Sequence, residues 1–299
     1  MIKFENVSKS FEDADALENV NLTINKGSIY GLLGSNGAGK TTLLKLLSGI
    51  YIEDQGSVTI NDQSVYENTM IKDQLFFIPD HPYFLSQYTI THMGQFYKNI
   101  YSNWNEERFQ NLIKAFQIDP KRKLHRFSKG LQRQCAFILG LSTMPELLIL
   151  DEPMDGLDPV VRKNIKSLII EDVAEREMTV LISSHNLREV EDICDYVGIL
   201  HKGNMLIEKE LDDLKSDVHK IQLAFKDGSP ADIFKGLKLL HSEKRGSVLL
   251  CIVRGNEADI RTRVKEYEPV IFDILPLTLE EIFIYEMEDV GYAIKNILD

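Results

Sequence analysis

The feature that most constrains the fold of this 299-residue chain is a glycine-rich segment at residues 34–42. It reads GSNGAGKTT and matches the pattern G-x-x-x-x-G-K-[ST]. An apolar run at residues 29–33 precedes it, and a leucine-rich run with helical spacing follows at residues 43–47. A loop of this kind between a strand and a helix points backbone N–H groups and a helix N-terminus at one anion. The segment therefore predicts a phosphate-binding loop in an α/β fold.

Two side chains of this loop have expected chemical roles. Lys40 is expected to contact the outer phosphates of a nucleotide, and the Thr41 hydroxyl is expected to ligate Mg²⁺. A glycine-rich turn before a helix is the structural alternative, but it would explain neither side chain. The residues predicted to bind the nucleotide here are Ser35, Asn36, Gly37, Ala38, Gly39, Lys40, Thr41 and Thr42.

A second motif is an apolar run at residues 147–150 that ends in two adjacent carboxylates. Because side chains alternate along a strand, Asp151 can face Mg²⁺ while Glu152, beyond the strand end, polarises a water in line with the γ-phosphate. A strand end with acids that cap a helix is the alternative. A phosphate-binding loop needs such a strand to bring an acid to the metal, which favours the first interpretation.

Composition excludes several classes of protein. The 34 lysines and arginines against 46 acidic residues give a net charge of −12, so nucleic acid is not expected as a partner. No run approaches the roughly 18 apolar residues of a membrane-spanning helix, and the N-terminus lacks a secretory signal, so we expect a cytoplasmic chain. Cys135, Cys194 and Cys251 are expected to be buried thiols rather than disulfides or metal ligands.

The hydropathy pattern predicts two domains. Residues 1–214 alternate apolar runs with helical segments, which is typical of strand–helix units around a largely parallel sheet. Within them, residues 82–145 contain successive helical patterns and are predicted to form an inserted helical subdomain. Residues 215–299 are predicted to form a small α+β domain. Its expected strands are 218–225, 247–253 and 270–275, and its expected helices are 230–240, 257–267 and one that begins near Thr278.

Between the two motifs lies the segment FSKGLQRQ at residues 127–134. Ser128 and Gly130, at the start of a predicted helix, offer a hydroxyl, N–H groups and a positive dipole end to a phosphate. A serine-capped helix is the alternative. Together with the flanking motifs, the segment resembles the signature sequence of the nucleotide-binding subunits of ABC transporters, in a variant with Lys129 in place of the first glycine.

Other segments resemble the same family in the expected order. Residues 155–158, which end at Asp158, resemble the D-loop, and His185 resembles the switch histidine that positions the attacking water with Glu152. Phe11 stands where this family stacks an aromatic ring on adenine. A core phenylalanine at a strand end is an equally open alternative.

The chain also departs from the family pattern. Asp80 stands where most members have glutamine, and an acid here resembles one subgroup of bacterial exporters. Asp80 could bind Mg²⁺ with Thr41 and Asp151, bind water or be solvated; we hypothesise that it serves coupling to a permease. Residues 133–134, Arg-Gln, reverse the usual order of these residue types after the signature.

The resemblance implies a function. It implies an ATP-hydrolysing enzyme with ATP and Mg²⁺ as cofactors, in a head-to-tail homodimer or a heterodimer with a similar chain. Such a pair powers an integral membrane permease on the inner face of the cell membrane, and the Asp80 variant favours export of a peptide, drug or lipid-like substrate. Residues 82–85 and Tyr88 are the candidate permease contact, with core packing as the alternative.

A function without transport is the alternative. Some ABC ATPases act without a permease, as clamps on ribosomes or DNA. These typically carry two cassettes, a long coiled coil or strongly basic arms, whereas this chain has one cassette, no sustained heptads and an acidic balance. The sequence therefore favours the transport subunit, with an accessory or regulatory role for residues 215–299.

Overall fold

A computed structural model describes residues 1–12, 14–216, 218–226, 230, 232–282 and 284 of the chain. The chain forms two compact units, and the boundary between them falls after Glu208. This is earlier than the predicted boundary at residue 214, because the helix Leu211–Ser216 (α8) buries Leu211 and Leu214 and contacts the first strand of the second unit.

The predicted apolar runs at residues 29–33 and 147–150 lie in the main sheet of the first unit, which has six strands. The bounds of the six strands are Ile29–Leu33 (β3), Leu75–Ile78 (β6), Leu147–Asp151 (β7), Thr179–Ser184 (β8), Tyr196–His201 (β9) and Asn204–Glu210 (β10). The order is β10-β9-β3-β8-β7-β6, and the pairings from β9 to β6 are parallel. Every residue of β3, β7 and β8 is buried, as expected for strands that are covered on both faces.

A second, antiparallel sheet was not part of the sequence prediction. Its strands are Ile2–Phe11 (β1), Ala14–Ile24 (β2), Gln55–Ile60 (β4) and Gln63–Ser64 (β5), in the order β2-β1-β4-β5. Its apolar face shares one core with the helix Lys40–Leu47 (α1), which follows β3. The short helix Thr69–Asp73 (α2) precedes β6.

Between β6 and β7, where the sequence predicts a helical subdomain, the chain is largely helical. This segment contains the helices Ile90–Lys98 (α3), Glu106–Ala115 (α4) and Lys129–Ser142 (α5), with a 3₁₀ turn at Leu124–Arg126. Thr89, Asn105 and Ser128 cap the three helices through their side-chain oxygens. Two further helices, Pro159–Arg176 (α6) and Leu187–Glu191 (α7), follow β7 and β8.

The second unit consists of a small antiparallel sheet and a nine-residue helix, two of whose residues lie in the core of the unit. The sheet has the order β12-β13-β11-β14, with strands Val218–Ala224 (β11), Lys238–Arg245 (β12), Val248–Arg254 (β13) and Ile271–Leu275 (β14). The helix Glu257–Lys265 (α9) matches its prediction. Residues 279–282 are helical after Thr278, whose hydroxyl accepts from Glu281 N.

The predicted helix at residues 230–240 is wrong. The chain makes successive turns there, with Ile233 N donating to Pro230 O and Leu237 N to Phe234 O. Gly236 has a φ of 88°, which a right-handed helix does not allow, and β12 begins two residues later. The apolar spacing in this stretch reflects burial of Ile233 in the core of the unit rather than helical periodicity.

The three cysteines are free and buried, as predicted. Burial raises the pKa of Cys135 and of Cys251 to about 12. Over the described part of the chain, helices that combine the length and the apolar character needed to span a bilayer are absent.

The helix α6 offers a matched test of core packing. Ile165 is fully buried, whereas Ile170 in the same helix is 45 % exposed. Ile165→Ala should lower the free energy of unfolding by about 2–5 kcal/mol, because it removes buried methyl groups and leaves a cavity. Ile170→Ala should change it by no more than about 0.5 kcal/mol. Urea denaturation of both variants measures the difference, and equal losses would contradict the burial of this face.

Candidate functional site

The parallel register of the main sheet brings the predicted motifs to one edge. Leu33, the last residue of β3, pairs with Ser184, and Asp151, the last residue of β7, pairs with Ser183. The chain therefore leaves three neighbouring strands at the same edge. The glycine-rich loop follows β3, Glu152 follows β7, and His185 follows β8.

A cavity of about 300 Å³ opens at this edge. Every loop residue that was predicted to bind the nucleotide lines it, together with Asp80, Asp151 and Glu152. The loop needs glycine at Gly39, which has a φ of 107° and where a Cβ would lie 2.4 Å from Ala16 O. The residues that line the cavity are Ala16, Ser35, Asn36, Gly37, Ala38, Gly39, Lys40, Thr41, Thr42, Asp80, Asp151 and Glu152.

Lys40 is buried beneath this loop. Its Nζ donates to Gly34 O at 2.7 Å and to Ser35 O at 3.3 Å, and it lies 3.3 Å from Glu152 Oε1. The loop carbonyls hold the ammonium group at the base of the cavity, and Glu152 supplies its counter-charge. A phosphate group in the cavity would offer Lys40 a second anionic partner.

Asp151 links the loop to the sheet. Thr41 Oγ1 donates to Asp151 Oδ2 at 2.8 Å, and Ser183 Oγ donates to Asp151 Oδ1 at 2.6 Å. A hydroxyl and a carboxylate in contact are hard oxygen ligands, the type that Mg²⁺ takes while keeping several waters. Thr41 and Asp151 therefore fit the predicted metal role, and Ser183 orients the carboxylate from behind.

Glu152 lies just beyond β7 with a φ of 46°, in the left-handed region that non-glycine residues rarely adopt. Its N–H donates to Ser183 Oγ at 3.1 Å. Its Oε2 lies 2.8 Å from His185 Nδ1 and accepts from His185 N at 3.2 Å. Asp155 is close as well, since one polar atom from each of Glu152, Asp155 and His185 lies within 4.8 Å of the others. Of the three side chains predicted to be catalytic, Lys40 and His185 thus both contact Glu152.

The other predicted nucleotide-binding residues lie outside the cavity lining. Ser128 Oγ accepts from Leu131 N and caps α5, and Asp158 Oδ1 accepts from Val160 N and Val161 N and caps α6. Lys129 is exposed.

Gly130 packs against the turn that precedes α6. A Cβ at this position would lie 2.7 Å from Gly156 O, so the first turn of α5 can approach that carbonyl only with glycine here. The signature and D-loop segments therefore lie side by side, away from the phosphate-binding loop of the same chain.

Phe11 is 39 % exposed, so it is not the core residue that the alternative interpretation required. Its ring meets Tyr51 edge-on, with centroids 5.2 Å apart, and Lys9 Nζ lies 5.4 Å from its centroid. The ring stands at the end of β1 with part of its surface available for stacking.

Asp80 lines the cavity, but its carboxylate contacts Arg133 and His81. Oδ1 lies 2.8 Å from Arg133 Nη2, and Oδ2 lies 2.9 Å from His81 Nδ1. Arg133 is a residue to which the sequence assigned no role. Only the unusual residue order after the signature marked it, and the pairing joins positions 53 residues apart in the chain.

A buried acid in the following helix contacts the residue next to His185. Glu189 in α7 accepts from Ser184 Oγ at 3.4 Å and lies 3.4 Å from Arg162 Nη1 of α6. Burial raises the pKa of Glu189, and the Arg162 charge opposes that effect. Both residues tie the segment around His185 to α6, and neither was predicted.

The comparisons with known proteins agree with this geometry. A protein-family model described as ABC transporter matches residues 17–155. The chain is 31% identical over 285 residues to the ABC transporter ATP-binding protein YtrB of Bacillus subtilis (strain 168), covering 95% of this chain and 97% of that protein. The chain belongs to the family of ABC transporter ATP-binding proteins.

Two further matches each cover about seven tenths of the chain. The lantibiotic transport ATP-binding protein SrtF of Streptococcus pyogenes is 34% identical over 219 residues, covering 71% of this chain and 92% of SrtF. A solved structure, titled an ATP binding subunit of an ABC transporter, has a TM-score of 0.67 at 26% identity, covering 72% of this chain and 92% of that chain. The protein is thus an ABC-type ATPase with an α/β P-loop core, as the sequence predicted.

Removal of the buried ammonium should weaken nucleotide binding. Lys40→Ala should raise the ATP dissociation constant about ten- to hundredfold, since a charge-assisted hydrogen bond is worth about 1.5–3 kcal/mol. Titration calorimetry with Mg-ATP measures the change. Lys72→Ala, in α2, is the matched control because its Nζ contacts Gly49 O and lies outside the cavity lining. Unchanged affinity in Lys40→Ala would refute the loop assignment.

Neutralising Glu152 should separate binding from hydrolysis. Glu152→Gln should lower the hydrolysis rate about 10²- to 10⁴-fold, because it removes the base that polarises the attacking water. ATP affinity should hold or rise, since Lys40 loses its competing counter-charge. The expected result is an ATP-bound dimer that persists in size-exclusion chromatography. A variant that hydrolyses ATP at the parent rate would disprove the role.

Proposed function

We propose that this chain works as one of two ATPase subunits that power an integral membrane permease. The observation that carries the proposal is that Lys40 and Glu152 line one cavity and His185 contacts Glu152, while the signature segment lies outside the cavity lining. One chain thus offers an incomplete nucleotide site, and a second copy or a similar chain would supply the missing face.

In the hydrolytic half of the site, each side chain has a distinct task. Lys40 would exchange Glu152 for the outer phosphates of ATP, and Thr41 and Asp151 would hold Mg²⁺, which would neutralise developing charge on the phosphates. Glu152, released from Lys40 and held by His185, would take the proton of the attacking water. Asp80 lines the same cavity, but its two carboxylate oxygens contact Arg133 and His81.

The facing half would come from the partner. Ser128, Lys129 and Gly130 lie at the N-terminus of α5, where N–H groups and the helix dipole favour an anion. Asp158 would lie at the same contact between the two subunits, and Phe11 would stack on adenine. ATP then forms part of the dimer contact, so binding closes the pair and hydrolysis reopens it.

The segment after Asp80 is our candidate for the permease contact. Tyr83 is 80 % exposed, and Leu85 and Tyr88 are also exposed, so packing within the helical subdomain does not account for them. Phe96 and Ile100, on and just after α3, are 41 % and 54 % exposed and extend the apolar surface. Exposed apolar residues in such a group are typical of an interaction surface.

The printed name of one relative supports a proposal for the cargo and the direction of transport. SrtF is described as a lantibiotic transport protein, so we propose export of a peptide, drug or lipid-like substrate, with this chain on the cytoplasmic face of the membrane. The names of the relatives describe transport and thus give no support to a clamp on ribosomes or DNA. We assign the second unit, from Lys209 onward, an accessory or regulatory role.

Recovery of the tagged chain from native membranes tests the proposal. A multi-helix membrane protein at a stoichiometric ratio after a high-salt wash is the expected result. Tyr83→Ala combined with Leu85→Ala should lower its recovery severalfold by removing exposed apolar area. Met70→Ala, which removes another exposed apolar side chain, is the matched control. Recovery of ribosomes or DNA, or of the chain alone, would contradict a transport subunit.

A further inference from the structure

Arg133 is a buried cation at the back of the catalytic edge. The residue is 6 % exposed, and its guanidinium group is surrounded by acceptors. Nη1 donates to Glu152 O at 2.7 Å and to Asp155 O at 2.6 Å. Nη2 donates to Asp80 O and, at 2.8 Å, to Asp80 Oδ1. One planar group therefore joins α5 to the chain segments after β6 and after β7.

The acceptors identify what Arg133 holds in place. Glu152 carries the proposed catalytic carboxylate on a backbone with a φ of 46°, a conformation that costs free energy and persists only where its surroundings maintain it. Arg133 grips the carbonyl of that residue and the carbonyl of Asp155, on either side of the turn that follows the carboxylate. The guanidinium thus fixes the direction in which the Glu152 side chain leaves the backbone.

We propose that Arg133 is a positioning residue for Glu152, and that Asp80 acts in this ATPase as the counter-charge of Arg133 rather than as a Mg²⁺ ligand. The inference rests on the ATPase activity of the family and not on the permease. Both carboxylate oxygens of Asp80 already have nitrogen partners, one on Arg133 and one on His81. Thr41 and Asp151, in contrast, contact each other at the cavity floor.

Electrostatics explains why the two residues occur together. A guanidinium cannot lose its proton, and burial of its charge without an anion is costly, so Arg133 needs a carboxylate nearby. Asp80 is the one carboxylate within 4 Å of the guanidinium among the described residues. Asp80 and Arg133 both differ from the residue types that the family resemblance leads us to expect. In the structure these two side chains form an ion pair.

Single and double substitutions therefore have different expected effects. Asp80→Gln leaves a buried guanidinium without its anion, and Arg133→Gln leaves the carbonyls of Glu152 and Asp155 without their shared donor. Asp80→Gln combined with Arg133→Gln removes both charges and provides two amides that can hydrogen-bond to each other and to the carbonyls. Removal of both partners of a buried pair costs less than removal of one.

Steady-state ATP hydrolysis by the purified full-length chain tests the proposal. Each single variant should lower kcat about ten- to hundredfold, because small displacements of a catalytic group have effects of this size. KM for Mg-ATP and the Mg²⁺ concentration at half-maximal rate should stay within about twofold of the parent. The double variant should recover to within about threefold of the parent kcat.

A matched control separates positioning from stability. Arg108→Gln removes a half-buried arginine from an ion pair with a buried acid, with Nη2 2.7 Å from Asp172 Oδ2, outside the cavity lining. It should lower the melting temperature as Arg133→Gln does, while kcat falls far less. If Arg133→Gln does not fold, Arg133→Lys can replace it, because lysine keeps the charge but lacks the planar guanidinium with several donors. This variant should show the same loss of kcat with intact ATP affinity.

Three results would overturn the inference. An unchanged kcat in both single variants would mean that the pair does not position Glu152. A double variant slower than either single variant would show that the two residues act independently. A rise in the Mg²⁺ requirement of Asp80→Gln alone would return Asp80 to the metal site.

Discussion

The hydrogen bond from Ser183 Oγ to Asp151 Oδ1 joins the ends of two buried parallel strands. The positions of the other residues at this edge of the sheet depend on this contact. The same hydroxyl accepts the N–H of Glu152, so one serine sets the position of both acids. On its other side β8 pairs with β3, which delivers the glycine-rich loop in register. The spacing between phosphate-binding loop and carboxylates is therefore a property of the sheet rather than of flexible segments.

Two cations act on Glu152 from opposite ends. Lys40 faces the cavity and contacts the carboxylate, whereas Arg133 lies behind and grips the carbonyl of the same residue. The first contact can be exchanged for a phosphate, because Lys40 also lies at the cavity wall. The second involves a buried group with several acceptors. The side chain of Glu152 can thus change partners while its backbone stays fixed, as its proposed role as a base requires.

The sequence predicted those elements of the fold and of the site that a local residue pattern determines. Buried strands such as β3 and β7 read as continuous apolar runs, and the loop between β3 and α1 carries its own signal. Contacts between distant segments left no such pattern, so the pairings of Asp80 with Arg133 and of β1 with β4 were not predicted. The helix expected at residues 230–240 failed because apolar spacing within turns imitates helical periodicity when Gly236 is ignored.

The burial of all three cysteines has a practical consequence for spectroscopy. Cys135 and Cys251 are fully buried and Cys194 is 6 % exposed, and the raised pKa of each thiol keeps it protonated and unreactive at neutral pH. A cysteine introduced at an exposed position such as Tyr83 would be the one thiol that a maleimide dye or spin label reaches. The native chain therefore already serves as the background for distance measurements between two labelled subunits during turnover.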